Sequence, residues 1–219
     1  GGGGLIDVGT LRALTNTCDI IISVCPPAEA VNVAESVAAL SFTGMYLDAN
    51  AVSPATARTI AGRVESAGAT FVDGGIIGPP ARHAGLTVLY LSGEAARCDA
   101  IAARFEGSPL ATHLVGAEPG AASAVKMAFA AWTKGTSALL LAVRALAEAE
   151  GVTEGLDHAW SVLTPELIDR FPATVRETAP KAWRFAGEMR EIASTFDHAG
   201  LPGGFHDISS YSAHHQLTS

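Results

Sequence analysis

Charge is scarce in this chain. Aspartate, glutamate, lysine and arginine make up 16% of its 219 residues and sum to −8, with a sequence pI near 5.3. With no cluster of Lys and Arg, that balance excludes a nucleic-acid footprint. Cysteine is rarer still: Cys18, Cys25 and Cys98 are odd in number and follow no metal-ligand or disulfide spacing. They predict reduced thiols, no metal centre and a cytoplasmic location. Long apolar runs are absent too. The best candidate for a span, Ala138–Leu146, is broken by Arg144, so no membrane partner is expected. No signal-peptide pattern opens the chain. The initial Gly1–Gly4 is no natural domain start and reads as a linker, an engineered scar or the edge of a missing segment.

What is present is apolar residues, at 48% enough for one large core or two smaller ones. Leu11–Thr15 reads as the end of a short helix. Asp19–Val24 is a continuous apolar run of strand length, the pattern of a parallel strand covered on both faces. Pro26 and Pro27 stop it and suit the first turn of a helix over Ala28–Leu40. Met45–Asn50 is a second strand. Ser53 is an N-cap with Pro54 at the first helical position, opening a helix to about Ala67. Thr70–Asp73 is a third strand. Strand–helix–strand alternation at this spacing predicts right-handed crossovers in a parallel sheet. Gly74–Pro80, an apolar run Thr87–Leu91, a helix Glu94–Phe105 and a short strand near Thr112–Val115 follow.

From Gly120 the period-two alternation disappears and helices are predicted over Gly120–Glu150, Leu156–Phe171 and Ala173–Ala199 (interrupted at Pro180), with a short one after His206. The fold class expected is α/β: a partial Rossmann-like parallel-sheet lobe over residues 5–118, then an all-α helical domain over 119–219. The joint is the helix Gly120–Glu150, far longer than the usual 11–12 residues or so. Its alanines and leucines predict burial on nearly all sides. Lys126, Ala130, Thr133, Lys134 and Ser137 share one face of it at about 3.6 residues per turn. A lysine there must reach a cavity or a partner, or snorkel to water.

Ligands of open parallel sheets lie beyond the carboxyl ends of the strands. Three such ends carry suitable residues: Val24–Pro27, Asp48–Ser53 and Asp73–Pro80. The segments DIIISVCPP, YLDANAVSPATARTIA, FVDGGIIGPPARHAGLTVLYLSG and AVKM, in that order and separation, resemble the β-hydroxyacid dehydrogenase superfamily, which includes 6-phosphogluconate dehydrogenase. The tail, including EMREIASTFDHAGLPGGFH, is similar to a phosphogluconate dehydrogenase-like branch with its own C-terminal helical domain.

The resemblance implies NAD or NADP as cofactor and hydride transfer between nicotinamide and a small hydroxy acid or related carbonyl compound. By position it implies that Val24, Cys25 and Pro26 touch the dinucleotide, and that Asn50 and Ala51 lie beside the nicotinamide ribose. It implies that Ile77, Gly78 and Pro79 form the substrate loop, and that Lys126 handles the proton of the substrate hydroxyl. Bottom-up chemistry agrees with the last role: a lysine accepts that proton only if burial lowers its affinity for its own.

The departures bear on the substrate. Ala130 stands where the family carries Asn, Thr133 where the decarboxylating sugar-acid enzymes carry a glutamate, and Ile77 where the substrate loop carries serine. Decarboxylation of a phosphosugar acid is therefore not expected. Thr133 and Lys134 are further candidates for substrate contact, with Arg82 and His83 as possible acid/base or carboxylate-binding groups. His206, His214 and His215 could approach a site from the tail or from a partner subunit. An imine reductase and an inactive oligomeric remnant are the competing readings.

The family's Gly-x-Gly-x-x-Gly fingerprint does not occur in the 219 residues, so NAD cannot be chosen over NADP. In a doubly wound sheet Asp19–Val24 would be the fourth strand, which leads to the expectation of upstream strands covering its bare edge, or of another chain doing so. A homodimer built on the helical domain is expected as well.

Overall fold

The computed structural model describes residues 4, 6–178 and 182–206. The chain divides into two units, residues 1–126 and 127–219.

In the first unit, α1 (Leu11–Thr17) precedes β1 (Ile20–Ser23), and a 3-10 turn at Pro27–Glu29 leads into α2 (Ala30–Ala38). Then come β2 (Met45–Asp48), α3 (Pro54–Ser66), β3 (Thr70–Ile77), β4 (Thr87–Ser92), α4 (Ala95–Ala103), β5 (Leu110–Gly116) and the start of α5 (Ala121–Ala149). Ser53 caps α3 as expected, its hydroxyl accepting from the Thr56 N–H at 3.2 Å, with Pro54 at the first helical position.

The five strands lie in sequence order in one sheet. β1, β2 and β3 are parallel, as are β4 and β5. The β3–β4 pair is antiparallel, so the sheet is mixed rather than wholly parallel. Alternation along the strands splits the core in two. Ile21, Tyr46 and Phe71 join Ala34, Val37, Ile60 and Val64 on the α2/α3 face, while Leu47, Val72 and Leu89 pack with Cys98 and Ile101 of α4.

Two expectations change here. β3 does not stop at Asp73 but continues through Gly74 and Gly75 to Ile77, paired with β4 along that length. The glycines concealed this, since they weaken strand propensity. Nor is β1 covered on both faces: it is an edge strand among the described residues, with Ile22 exposed and Val24 67% exposed.

The second unit holds the rest of α5 with α6 (Thr153–Leu163), α7 (Glu166–Thr178) and α8 (Ala182–His198). The single helix expected over Leu156–Phe171 is two. They break at Thr164 because the residue before Pro165 is driven out of the helical region. Pro172 is tolerated inside α7. Pro180 and the segment after His206, with His214 and His215, lie outside the described residues. Arg144 ties three helices together: it pairs with Asp157 of α6 and lies over the Phe171 ring of α7, 5.0 Å from its centroid.

α5 is not buried on nearly all sides. Phe129, Trp132, Leu139 and Leu146 are exposed, and the last three recur every seven residues along one face. No described helix is long and apolar enough to cross a membrane.

Gly75 lets α5 reach the sheet. A Cβ built there would lie 2.8 Å from the Ala122 carbonyl oxygen and 3.1 Å from Lys126 Cβ. Gly75→Ala is therefore expected to cost about 1–3 kcal/mol as an overpacking substitution against backbone. Urea unfolding checks it; a loss under about 0.5 kcal/mol, the range of an ordinary surface change, would contradict the close approach.

Candidate active site

The start of α5 is held by two side chains of the sheet. Asp73, fully buried near the middle of β3, accepts four hydrogen bonds. Its Oδ2 takes the Gly120 N–H at 3.0 Å, the Ser123 N–H at 3.0 Å and the Ser92 hydroxyl at 2.9 Å, while Oδ1 takes the Ser123 hydroxyl at 2.6 Å. Ser92 Oγ in turn accepts from the Ala122 N–H at 3.1 Å. The first N–H groups of a helix have no partner within it. Here three of them are satisfied by β3 and β4, and a carboxyl group suits the positive end of the helix dipole. The antiparallel register makes this possible by placing Ser92 opposite Asp73.

One turn further on, Lys126 is half-buried and its Nζ donates to the Ile76 carbonyl oxygen at 2.7 Å. The amine thus sits at the end of β3, where Ile77, Gly78 and Pro79 leave the sheet. Gly78 has φ of 128°, and a Cβ there would collide with the Leu86 carbonyl oxygen and Thr87. The Thr87 hydroxyl closes the neck of this loop by donating to the Pro79 carbonyl oxygen at 2.5 Å. Beyond it Arg82 and His83 are exposed.

The other two strand ends meet at Asn50. Its Oδ1 accepts from the Cys25 N–H at 2.5 Å, and its Nδ2 donates to Ser23 Oγ at 3.0 Å and to Asp48 Oδ1. Asn50 is buried and its amide is committed inward, so it holds the Val24–Pro26 loop rather than projecting from it. Val24 is exposed and Cys25 and Ala51 are half-buried. Burial pushes the Cys25 thiol up from its ordinary value.

Thr133 and Lys134 belong to the second unit. The Thr133 hydroxyl donates back to the Phe129 carbonyl oxygen at 3.1 Å, and Lys134 is paired with Glu188 of α8. His206 is buried there against Phe196, with its ring over Gly135. Among the described residues no cluster of His, Cys, Asp and Glu could hold a metal.

In the sequence Asp48 and Asp73 count only as the first residues of two candidate ligand-binding segments, and Ser92 and Ser123 carry no expected role. The available signal was a polar residue in otherwise apolar surroundings: an Asp inside two strands, and a Ser in the first turn of AASAVKM.

Residues 147–209 match the family described as "Domain of unknown function (DUF1932)". An uncharacterized 28.5 kDa protein in the 7S RNA 5′ region of Methanothermus fervidus is 33% identical over 145 residues, 66% of this chain. The match covers 54% of that relative, so the chain spans about half its length. A conserved hypothetical protein of Sinorhizobium meliloti superposes with a TM-score of 0.68 at 27% identity, over 92% of this chain and 68% of that one. The conserved protein MTH1747, whose structure is described as similar to 3-hydroxyacid dehydrogenases, gives 0.65 at 25% identity, over 95% and 80%. Solved 3-hydroxyisobutyrate dehydrogenases and imine reductases share the fold at 18–20% identity, with TM-scores of 0.52–0.65. The chain thus carries a DUF1932 segment and has the fold of the hydroxyacid dehydrogenases and imine reductases, as its motifs led us to expect.

Removing the Asp73 carboxyl would strand several buried donors, each costing about 1–3 kcal/mol. Asp73→Ala is therefore expected to lose about 3 kcal/mol or more in urea unfolding, and Ser123→Ala clearly less. Equal losses in the two variants would refute the capping role.

Proposed function

We propose that this chain is the catalytic part of an NAD(P)-dependent oxidoreductase that acts on a small hydroxy acid or related carbonyl compound, with Lys126 as the proton-transfer residue. The observation that carries this reading is the placement of the Lys126 amine at the mouth of the 77–79 loop by Asp73 and the Ile76 carbonyl oxygen. Its likeness at 25% identity to a protein described as similar to 3-hydroxyacid dehydrogenases supports the hydroxy-acid reading over the imine reading.

The chain's residues fit the nicotinamide side of a dinucleotide site. Val24 offers an exposed apolar side chain at the carboxyl end of β1, and Pro26 and Ala51 follow β1 and β2 at the same end of the sheet. A glycine-rich pyrophosphate cradle is not among the 219 residues. When bound, the nicotinamide supplies the carbon that accepts or donates hydride. Val24, Cys25, Pro26 and Ala51 would hold it, while Ile77, Gly78 and Pro79 would bound the substrate. An alcohol carbon gives up hydride only as its hydroxyl loses a proton. Lys126 takes that proton in oxidation and returns it in reduction. Thr133 and Lys134 are proposed as substrate contacts on the family resemblance alone, and Lys134 would have to exchange its ion pair with Glu188.

Lys126→Ala is expected to lower turnover of the responsive member of a 3-hydroxy acid panel by about 10²–10⁴-fold, the span of a general acid/base, with an unchanged circular dichroism spectrum. Near-full turnover in that variant would remove Lys126 from the chemistry.

The assembly proposed is a homodimer through the helical unit. Trp132 and Leu146, 66% and 62% exposed on one face of α5, form with Leu139 a stripe of the kind that marks interfaces. Sedimentation at micromolar concentration is expected to give twice the chain mass, and Trp132→Glu to shift it toward the monomer. A wild-type monomer would refute the dimer.

A further inference from the structure

At the carboxyl ends of β1 and β2 a buried amide has one tenable orientation. Asn50 presents its oxygen to the Cys25 N–H and its NH2 to Ser23 Oγ and Asp48 Oδ1. The Ser23 hydroxyl can donate or accept and so tolerates either orientation. The Cys25 N–H can only donate, so it requires the amide oxygen and leaves the NH2 for Asp48 Oδ1. The bond to Cys25, the second residue past β1, clamps the Val24–Pro26 loop to the segment after β2.

Asp48 is fully buried, and its other oxygen, Oδ2, has no hydrogen-bond partner among the described residues. The ionisable groups around it are Asp73, its register partner on β3, Tyr46 on β2 and the Cys25 thiol, with Glu29 of the 3-10 turn acting on Cys25 in turn. The Tyr46 hydroxyl lies toward Ser23 without completing a hydrogen bond. Burial, and then the negative charge of Asp73, raise the Asp48 carboxyl from 3.8 to about 7, although the Asn50 bond pulls it down. Burial sends the Tyr46 hydroxyl to about 12 and the Cys25 thiol upward. Of these three groups, Asp48 changes charge near neutrality.

We propose that Asp48 is a positioning residue whose buried carboxyl backs the Asn50 amide, and through it the Val24–Pro26 loop, so that water drawn to the ionised carboxylate releases the loop. A desolvated carboxylate with a bare oxygen must gain donors, and water entering between the two strand ends supplies them at the expense of the Asn50–Cys25 bond. The folded-state value lies above the unfolded one. The stabilisation is therefore complete below about 4 and is lost as pH rises through about 7. That the loop meets a dinucleotide rests on the oxidoreductase reading above. The latch does not, and it is tested without any cofactor.

The test is NMR on the 15N,13C-labelled chain. The Cys25 amide and the Asp48 carboxyl carbon are expected to titrate with one midpoint near 7. Cys25 amide protection, corrected for intrinsic exchange, should fall about tenfold between about pH 6 and about pH 8, following the neutral fraction of Asp48. Asp48→Asn, which keeps the shape and cannot ionise, should hold the Cys25 amide protected throughout. Asn50→Ala should leave it unprotected at every pH. A Cys25 amide that does not titrate in the wild type, or that titrates identically in Asp48→Asn, would overturn the proposal. So would different midpoints for Cys25 and Asp48, a comparison made on the wild-type protein alone.

Discussion

A carboxyl group without access to water needs every one of its hydrogen bonds, and in this protein Asp73 obtains four from β4 and the start of α5. The consequence is positional. The first turn of α5 cannot slide along or lift from β3 without stranding buried N–H groups, and Gly75 removes the side chain that would hold it off. Lys126 inherits its place from that turn. Its amine lies at the Ile76 carbonyl because the helix start is fixed one turn earlier, by bonds in which the lysine takes no part.

Asp48 and Asp73 are register partners on adjacent strands, equally buried, yet their environments oppose each other. Among the described residues Asp73 is fully supplied with donors, whereas Asp48 has the Asn50 amide at one oxygen and no partner at the other. Polar groups in a low-dielectric interior are stabilising when satisfied and costly when half-satisfied. The same residue type therefore serves as a rigid anchor on β3 and as a proton-sensitive element on β2. Asp48 ends β2, at the side of the sheet where open α/β sheets take ligands.

The second unit separates two kinds of residue that the sequence runs together. Arg144, Lys134 and Arg170 are engaged with Asp157, Glu188 and Thr136, so these three cations are spent on neighbouring helices of the same unit. The apolar residues of α5 divide as well. Leu140, Leu141 and Ala147 are buried, while the stripe through Trp132, Leu139 and Leu146 faces outward. A helix rich in alanine and leucine all round does not announce which of its faces is core.

Local chemistry made much of the chain legible. Ser53–Pro54 marks the start of α3, the apolar runs mark β1 and β2, and the proline-free stretch after Pro119 marks α5, because caps, period and helix breakers act within a few residues. Lys126 stood out for the same reason, as a cation in an apolar helix. Other features depended on partners distant in sequence. The β3–β4 pair is antiparallel, but apolar alternation reads the same in either direction. The length of β3 was hidden by two glycines whose purpose is the approach of α5. Asp73 finds its donors 47 and 50 residues away, and Asn50 finds Cys25 at a separation of 25. A single residue announces its type, but whether a buried carboxyl is satisfied, or an amide is turned outward or inward, is decided only when separate strands and a helix end are brought to hydrogen-bond distance. The sequence determined most of the elements and named the lysine; the tertiary structure decided the length of β3 and what holds the lysine in place.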